Sequence, residues 1–151
     1  FGLASARPTP QGLSGAPKLA EGVTLPANTA DTTALKHIPG IGSYYARKIV
    51  DYRERLGGFV STSQIGEIED LPAGITRWFV LDKTDKPKQL RINHATFKQL
   101  VRHPYLSYEQ TKIIVTHIRQ YGAIRSWRDL QLYKEFTQND FKRLAPYISF
   151  K

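Results

Sequence analysis

Leu35-Lys36-His37-Ile38-Pro39-Gly40-Ile41-Gly42-Ser43-Tyr44-Tyr45-Ala46-Arg47-Lys48-Ile49-Val50 is the stretch that decides how this chain folds. Ahead of the turn, Ala30, Ala34, Leu35 and Ile38 recur at helical spacing and define one apolar face. Asn28 can cap that helix, and Asp31 stands near its start, where negative charge suits the helix dipole. Pro39-Gly40 stops it. Ser43 can open a second helix that carries Tyr45, Ala46, Ile49, Val50, Tyr52 and Leu56 inward, and Gly57-Gly58 suits a left-handed end. Phe59 then returns to the core. Ile38 to Gly42 thus reads as a tight turn between two amphipathic helices. Its glycines permit backbone angles and close approaches that a side chain would block. Ile41 points back and pins the turn. Amide N–H groups of Gly40, Ile41, Gly42 and the helix start at Ser43 then point outward, an arrangement that suits an anion. Tyr44, Arg47, Lys48, Asp51 and Arg55 lie opposite the apolar stripe, so Arg47 and Lys48 flank that position.

The same plan recurs. At an offset of 65 positions Asn28 falls on Asn93, Ala30 on Ala95, Leu35 on Leu100, Pro39 on Pro104, Ile49 on Ile114, Val50 on Val115 and Gly57 on Gly122. Ile41 pairs with Leu106, Arg47 with Lys112, Phe59 with Ile124 and Ile65 with Leu130. A period this long means two domain-sized units. In the second, Ser107 with Gln110, Ser126 with Asp129, and Thr137 with Asp140 have capping-box spacing. Residues 1–26, rich in Pro, Gly, Ala and Ser, read as a linker or N-terminal arm. The first unit is expected over 27–85 and the second over 86–151, with the polar stretch Leu81 to Lys88 between them. Val80-Leu81 and Leu90-Arg91-Ile92 are candidates for short extended pieces.

Across the 151 residues there are 22 Lys+Arg against 13 Asp+Glu, a formal net charge of +9. Such an excess attracts polyanions. The charge is uneven: nine basic residues from Lys86 to Arg128 face one acid, Glu109, whereas 60–85 is net acidic. There is no Cys, hence no disulfide and no thiolate metal site. No apolar run approaches the ~20 residues of a membrane span. A chain that starts at Phe and has no Met reads as a mature form or an excised fragment.

Asn28-Thr29-Ala30 through Ile38-Pro39-Gly40-Ile41-Gly42 to Ala46-Arg47-Lys48-Ile49-Val50-Asp51-Tyr52-Arg53, followed by Gly57-Gly58-Phe59, resembles the helix-hairpin-helix repeat of ComEA-like competence proteins. The resemblance covers about residues 25–150. It implies an all-α, SAM-like fold of two tandem helix-hairpin-helix units. It also implies non-sequence-specific binding of DNA, mostly double-stranded, through backbone phosphates. A monovalent cation held by hairpin carbonyls occurs in some relatives, and by position those carbonyls would belong to Lys36, Ile38 and Ile41. No other cofactor is implied.

The second hairpin departs from the pattern. In His103-Pro104-Tyr105-Leu106-Ser107 both glycines are replaced, and Tyr105 is expected to stand where a phosphate should approach. His103 adjoins that turn and could touch phosphate. The hairpin either binds DNA or merely completes the core, with Arg102 and Lys112 supplying side-chain charge. DNA-facing residues are therefore expected to be Gly40, Ile41, Gly42, Ser43, Tyr44, Arg47, Lys48, Arg102, His103 and Lys112, with Tyr105 a second candidate ligand-facing aromatic beside Tyr44. Trp127 and Phe136 are expected in the core. The acids are too scattered for metal-dependent nuclease chemistry, and the four histidines lack zinc spacing, so no enzymatic activity is expected. The alternative is a protein-interaction scaffold that has lost DNA binding. Compartment is not legible from these residues.

Overall fold

Residues 17–151 are described by the computed structural model. Its elements are β1 (Leu25–Pro26), α1 (Thr32–Leu35), α2 (Ser43–Leu56), β2 (Phe79–Val80), β3 (Leu90–Arg91), α3 (Phe97–Arg102), α4 (Tyr108–Tyr121), α5 (Gln138–Leu144) and β4 (Ile148–Ser149). Short 3-10 helices lie at Thr62–Glu67, Ile75–Trp78, Trp127–Leu130 and Ala145–Tyr147. The fold is all-α, with the strands only two residues long. Backbone contacts separate two compact units. The first holds the described residues up to Arg53 together with Phe59–Asp85; the second holds Glu54–Gly58 and Lys86–Lys151.

In the first unit β1 runs parallel to β2, Leu25 beside Phe79 and Pro26 beside Val80. Leu35, Ile38, Ile41, Ala46, Ile49, Phe59, Ile65 and Trp78 form its core. The cap of α1 is Asp31, whose Oδ1 accepts from the Ala34 N–H at 2.8 Å. Asn28, expected to cap this helix, does something else. Its Oδ1 accepts from the Phe59 N–H at 2.7 Å, while its Nδ2 donates to the Phe59 carbonyl at 2.9 Å and to Asp85 at 3.0 Å. A carboxamide can accept and donate at once, so it ties the strand-side entry of the unit to the segment leaving α2. Ser61 and Gln64 form a capping box over the next turn.

The second unit repeats the clamp at Asn93. Its Oδ1 accepts from the Ile124 N–H at 2.7 Å, and Nδ2 donates to the carbonyls of Ile124 at 2.8 Å and Phe150 at 3.1 Å. β3 and β4 run parallel, Leu90 beside Ile148. Capping boxes open α3 (Thr96 with Gln99), α4 (Ser107 with Gln110) and α5 (Thr137 with Asp140). At Ser126 the expected box does not close on itself: Asp129 accepts from the Arg125 N–H at 2.8 Å, one residue earlier. Phe136 is buried, stacked on Phe141. Trp127 is only half-buried, wedged between Phe141 and Phe150 at centroid distances of 5.2 and 4.9 Å.

The five residues from Glu54 to Gly58, which the sequence places inside the first unit, pack with the second. Leu56 is fully buried. Gly57 has φ +100° and sits so close to the Lys88 carbonyl that an added Cβ would meet its oxygen at 2.6 Å, which only glycine avoids. The Gly58 carbonyl accepts from the Tyr147 hydroxyl at 2.7 Å. Among the described residues no helix is long and apolar enough to cross a membrane.

Candidate nucleic-acid interface

The first hairpin is built from the end of α1 to the start of α2. The Ile41 N–H closes the turn on the Ile38 carbonyl at 3.0 Å, and both isoleucines are buried, so the turn hangs from the core by two side chains. Between them Gly40 takes φ +86°, a conformation that would strain any residue with a Cβ. Gly42 has no positive φ, and nothing lies within 4 Å of a Cβ built on it. The space it leaves open is therefore on the outside of the turn. The Ala46 N–H is the first to bond back along α2, to the Gly42 carbonyl at 2.9 Å. The N–H groups of Ser43, Tyr44 and Tyr45 precede that bond, and Gly42 has no side chain to cap them. Those donors and the positive end of a 14-residue helix lie next to the space left open at Gly42.

Around this opening the expected side chains are brought together unequally. Tyr44 is 62% exposed. Arg47 is exposed on the next turn. Lys48 is half-buried and already engaged: it donates to the Glu69 carbonyl at 2.9 Å, lies 3.8 Å from Asp70, and stands 5.5 Å from the Tyr44 ring centre. The acidic stretch Glu67 to Asp70 thus holds Lys48 back from a phosphate. Arg47 is the better-placed cation.

The carbonyls of Lys36, Ile38 and Ile41 do converge, and a charge of this chain stands at their focus. Lys18 Nζ donates to them at 2.6, 3.5 and 3.3 Å respectively. The donor chemistry suits a monovalent cation, but the same position is taken by an ammonium. Lys18 lies in the stretch read as linker or arm, and no periodicity or spacing in that stretch marks it. His37 is drawn into the same contact: its ring Nδ1 meets the Pro17 carbonyl, and its own carbonyl accepts from the Leu19 N–H at 2.7 Å.

The second hairpin is closed. His103 is not a surface residue but 2% exposed. Its Nδ1 accepts from the Tyr105 N–H at 3.0 Å, so Nε2 carries the proton and donates to the Leu56 carbonyl at 2.9 Å. Both ring nitrogens are spent, which removes His103 from the DNA-facing set. Burial above all, with the nearby Arg55 and Arg143 charges, pushes its pKa down to about 4 against the opposing pull of the Leu56 hydrogen bond. Tyr105 also turns inward, against the expectation that it blocks the turn. It is buried beside Tyr147, with the Arg143 guanidinium 3.9 Å from its ring centre. It can do so because, unlike Gly40, it does not take a positive φ. Ser107, in the place of Gly42, caps its own helix: Oγ accepts from the Gln110 N–H at 3.0 Å, and Gln110 Oε1 accepts in return from the Ser107 N–H. Donors that stay open at the first hairpin are satisfied here from within. Arg102 and Lys112 are exposed, Lys112 lying 5.7 Å from the Tyr108 ring centre. Among the described residues no three His, Asp or Glu side chains gather in a group that could hold a metal ion.

Two copies of a tight turn between two helices, each hung from its own core, define a class of protein. The helix-hairpin-helix motif matches residues 20–75 and again 86–149, and the chain belongs to that family. Motifs of this family are generally associated with non-specific DNA binding. No curated protein and no solved structure matches the chain.

Proposed function

We propose that this protein binds DNA without reading its sequence, in the manner of ComEA-like modules, and performs no chemistry on it. The observation that carries this reading is the open row of amides at the start of α2, framed by Gly42, Tyr44 and Arg47. Phosphate is the anion that such a row suits, and it recurs on every nucleotide, which is why recognition of this kind is indifferent to base identity. The duplex is the expected form, as the resemblance to ComEA-like modules implies. Arg102 and Lys112 add charge on the second unit, whose own hairpin is a structural element. With few phosphates neutralised, affinity is expected to be micromolar or weaker at physiological salt.

Gly42→Asp is the cleanest test. Aspartate is a good N-cap, and Gly42 has room for it, so the fold stays intact. Its carboxylate takes the first-turn amides and repels phosphate. In fluorescence anisotropy with labelled duplex at low salt, the parent should bind and the variant should lose at least about tenfold in affinity, an electrostatic change of ~1.4 kcal/mol or more. Equal binding by the two would remove the first hairpin from the interface. A protein-interaction scaffold is the second reading, favoured by the self-capped second hairpin. It requires that the parent bind no DNA even at low salt.

A further inference from the structure

The focus of the Lys36, Ile38 and Ile41 carbonyls holds a positive charge that the chain itself provides. We propose that Lys18 is a tethered cation: its ammonium fills the carbonyl site of the first hairpin and excludes a free monovalent ion from it.

Three observations carry this. An ammonium has three protons, and three carbonyl oxygens surround it, the shortest contact being 2.6 Å to Lys36. The residues on both sides of Lys18 are pinned to one partner, His37, through the Pro17 carbonyl and the Leu19 N–H. The lysine is therefore delivered by a fixed backbone, which lowers the entropy lost when its side chain is held. Further along the arm, Glu21 lies 3.5 Å from Arg77 of the same unit, a second and weaker anchor.

The ammonium has consequences for the turn. Three carbonyl dipoles aimed at one point repel each other unless a cation sits between them, and one of them, that of Ile41, shares its peptide group with the Gly42 N–H at the opening. A cation there holds the peptide groups in that orientation. A free ion does this only at a concentration set by its dissociation constant, and a tethered one does it always. The first hairpin should thus be formed regardless of which salt is present. This inference uses the phosphate-binding reading only for its functional consequence. Occupancy of the carbonyl site is tested without DNA.

The experiment compares the parent with Lys18→Met, which keeps most of the length of the side chain and removes the charge. Thermal unfolding is followed at one ionic strength in potassium chloride, sodium chloride and tetramethylammonium chloride, the last cation being too large for the site. The parent should show no specific gain from potassium or sodium. The variant should melt lower than the parent in tetramethylammonium and recover as potassium replaces it, the signature of a ligand bound to the folded state. A parent that gains from potassium or sodium as much as the variant does would overturn the proposal, as would a variant that melts like the parent in all three salts. Lysine labelled with 15N gives an independent readout. The Lys18 ammonium should exchange its protons slowly enough to be seen as a cross-peak lost in Lys18→Met, and no such peak in the parent would equally overturn it. If DNA binding failed while these results held, the tethered cation would stand and the phosphate reading would fall.

Discussion

A histidine next to a turn means opposite things depending on which way the ring points. His103 was expected near phosphate because it adjoins Pro104, but its ring is buried and fixed as one neutral tautomer between Tyr105 and Leu56. The pH dependence follows from that. The folded pKa is about 4, below an unfolded value near 6.5, so the unfolded chain takes up the proton first as pH falls. The neutral ring's contribution is fully present above pH ~6.5 and is lost progressively down to pH ~4, at most on the order of 3 kcal/mol. Urea unfolding across that window should show a steeper loss for the parent than for His103→Gln, and parallel curves would mean that His103 titrates normally. The asparagines teach a related lesson. The repeat offset aligned Asn28 with Asn93, yet a single residue type in front of a helix reads as a cap. The true partners, Phe59 and Ile124, lie 31 residues on, beyond any local pattern.

Helices and turns were more legible than single side chains. The first hairpin could be read because its chemistry is in the backbone: a glycine at positive φ and another with open space are both written as glycine. The second hairpin misleads because Tyr105 is answered by Tyr147 and Arg143, about forty residues away. No local feature announces that a slot will exist for the ring. Ser107, by contrast, shows its role in its spacing to Gln110. Ser107→Ala should therefore lower stability by about 1 kcal/mol, as loss of an N-cap does. Affinity for duplex DNA should change less than about twofold, because the second hairpin completes its own core and makes no phosphate contact. Chemical unfolding and anisotropy on the same sample check both parts. A large loss of affinity without unfolding would return the second hairpin to the interface.

At the scale of the chain, periodicity points to helices and charge to a polyanion partner, but the partition into units cuts through a helix. Glu54–Gly58 belongs with Lys86–Lys151, and no shift in composition marks either cut. The second unit needs these five residues, since Leu56 and Gly58 supply acceptors for His103 and Tyr147 and Gly57 lies against Lys88. A fragment beginning at Lys86 loses the acceptor of the buried His103 ring, at a cost of about 1–3 kcal/mol, together with the buried Leu56 side chain and the Gly58 contact to Tyr147. It should be markedly less stable than the same unit in the whole chain, with most amides exchanging rapidly in hydrogen-exchange measurements. A fragment as well protected as the whole chain would show that the five residues are dispensable.

The parallel two-residue strand pairs have a further consequence. Leu25 lies beside Phe79 and Leu90 beside Ile148, so each unit begins and ends at one seam. A segment whose two ends leave from one place can be copied and joined in series without redrawing its interior. The seam thus suits duplication in series, with Glu54–Gly58 the exception that the second unit takes from the stretch of the first; the second copy carries Tyr105 and Ser107 where the first has Gly40 and Gly42, while the asparagine that latches the seam stands in both.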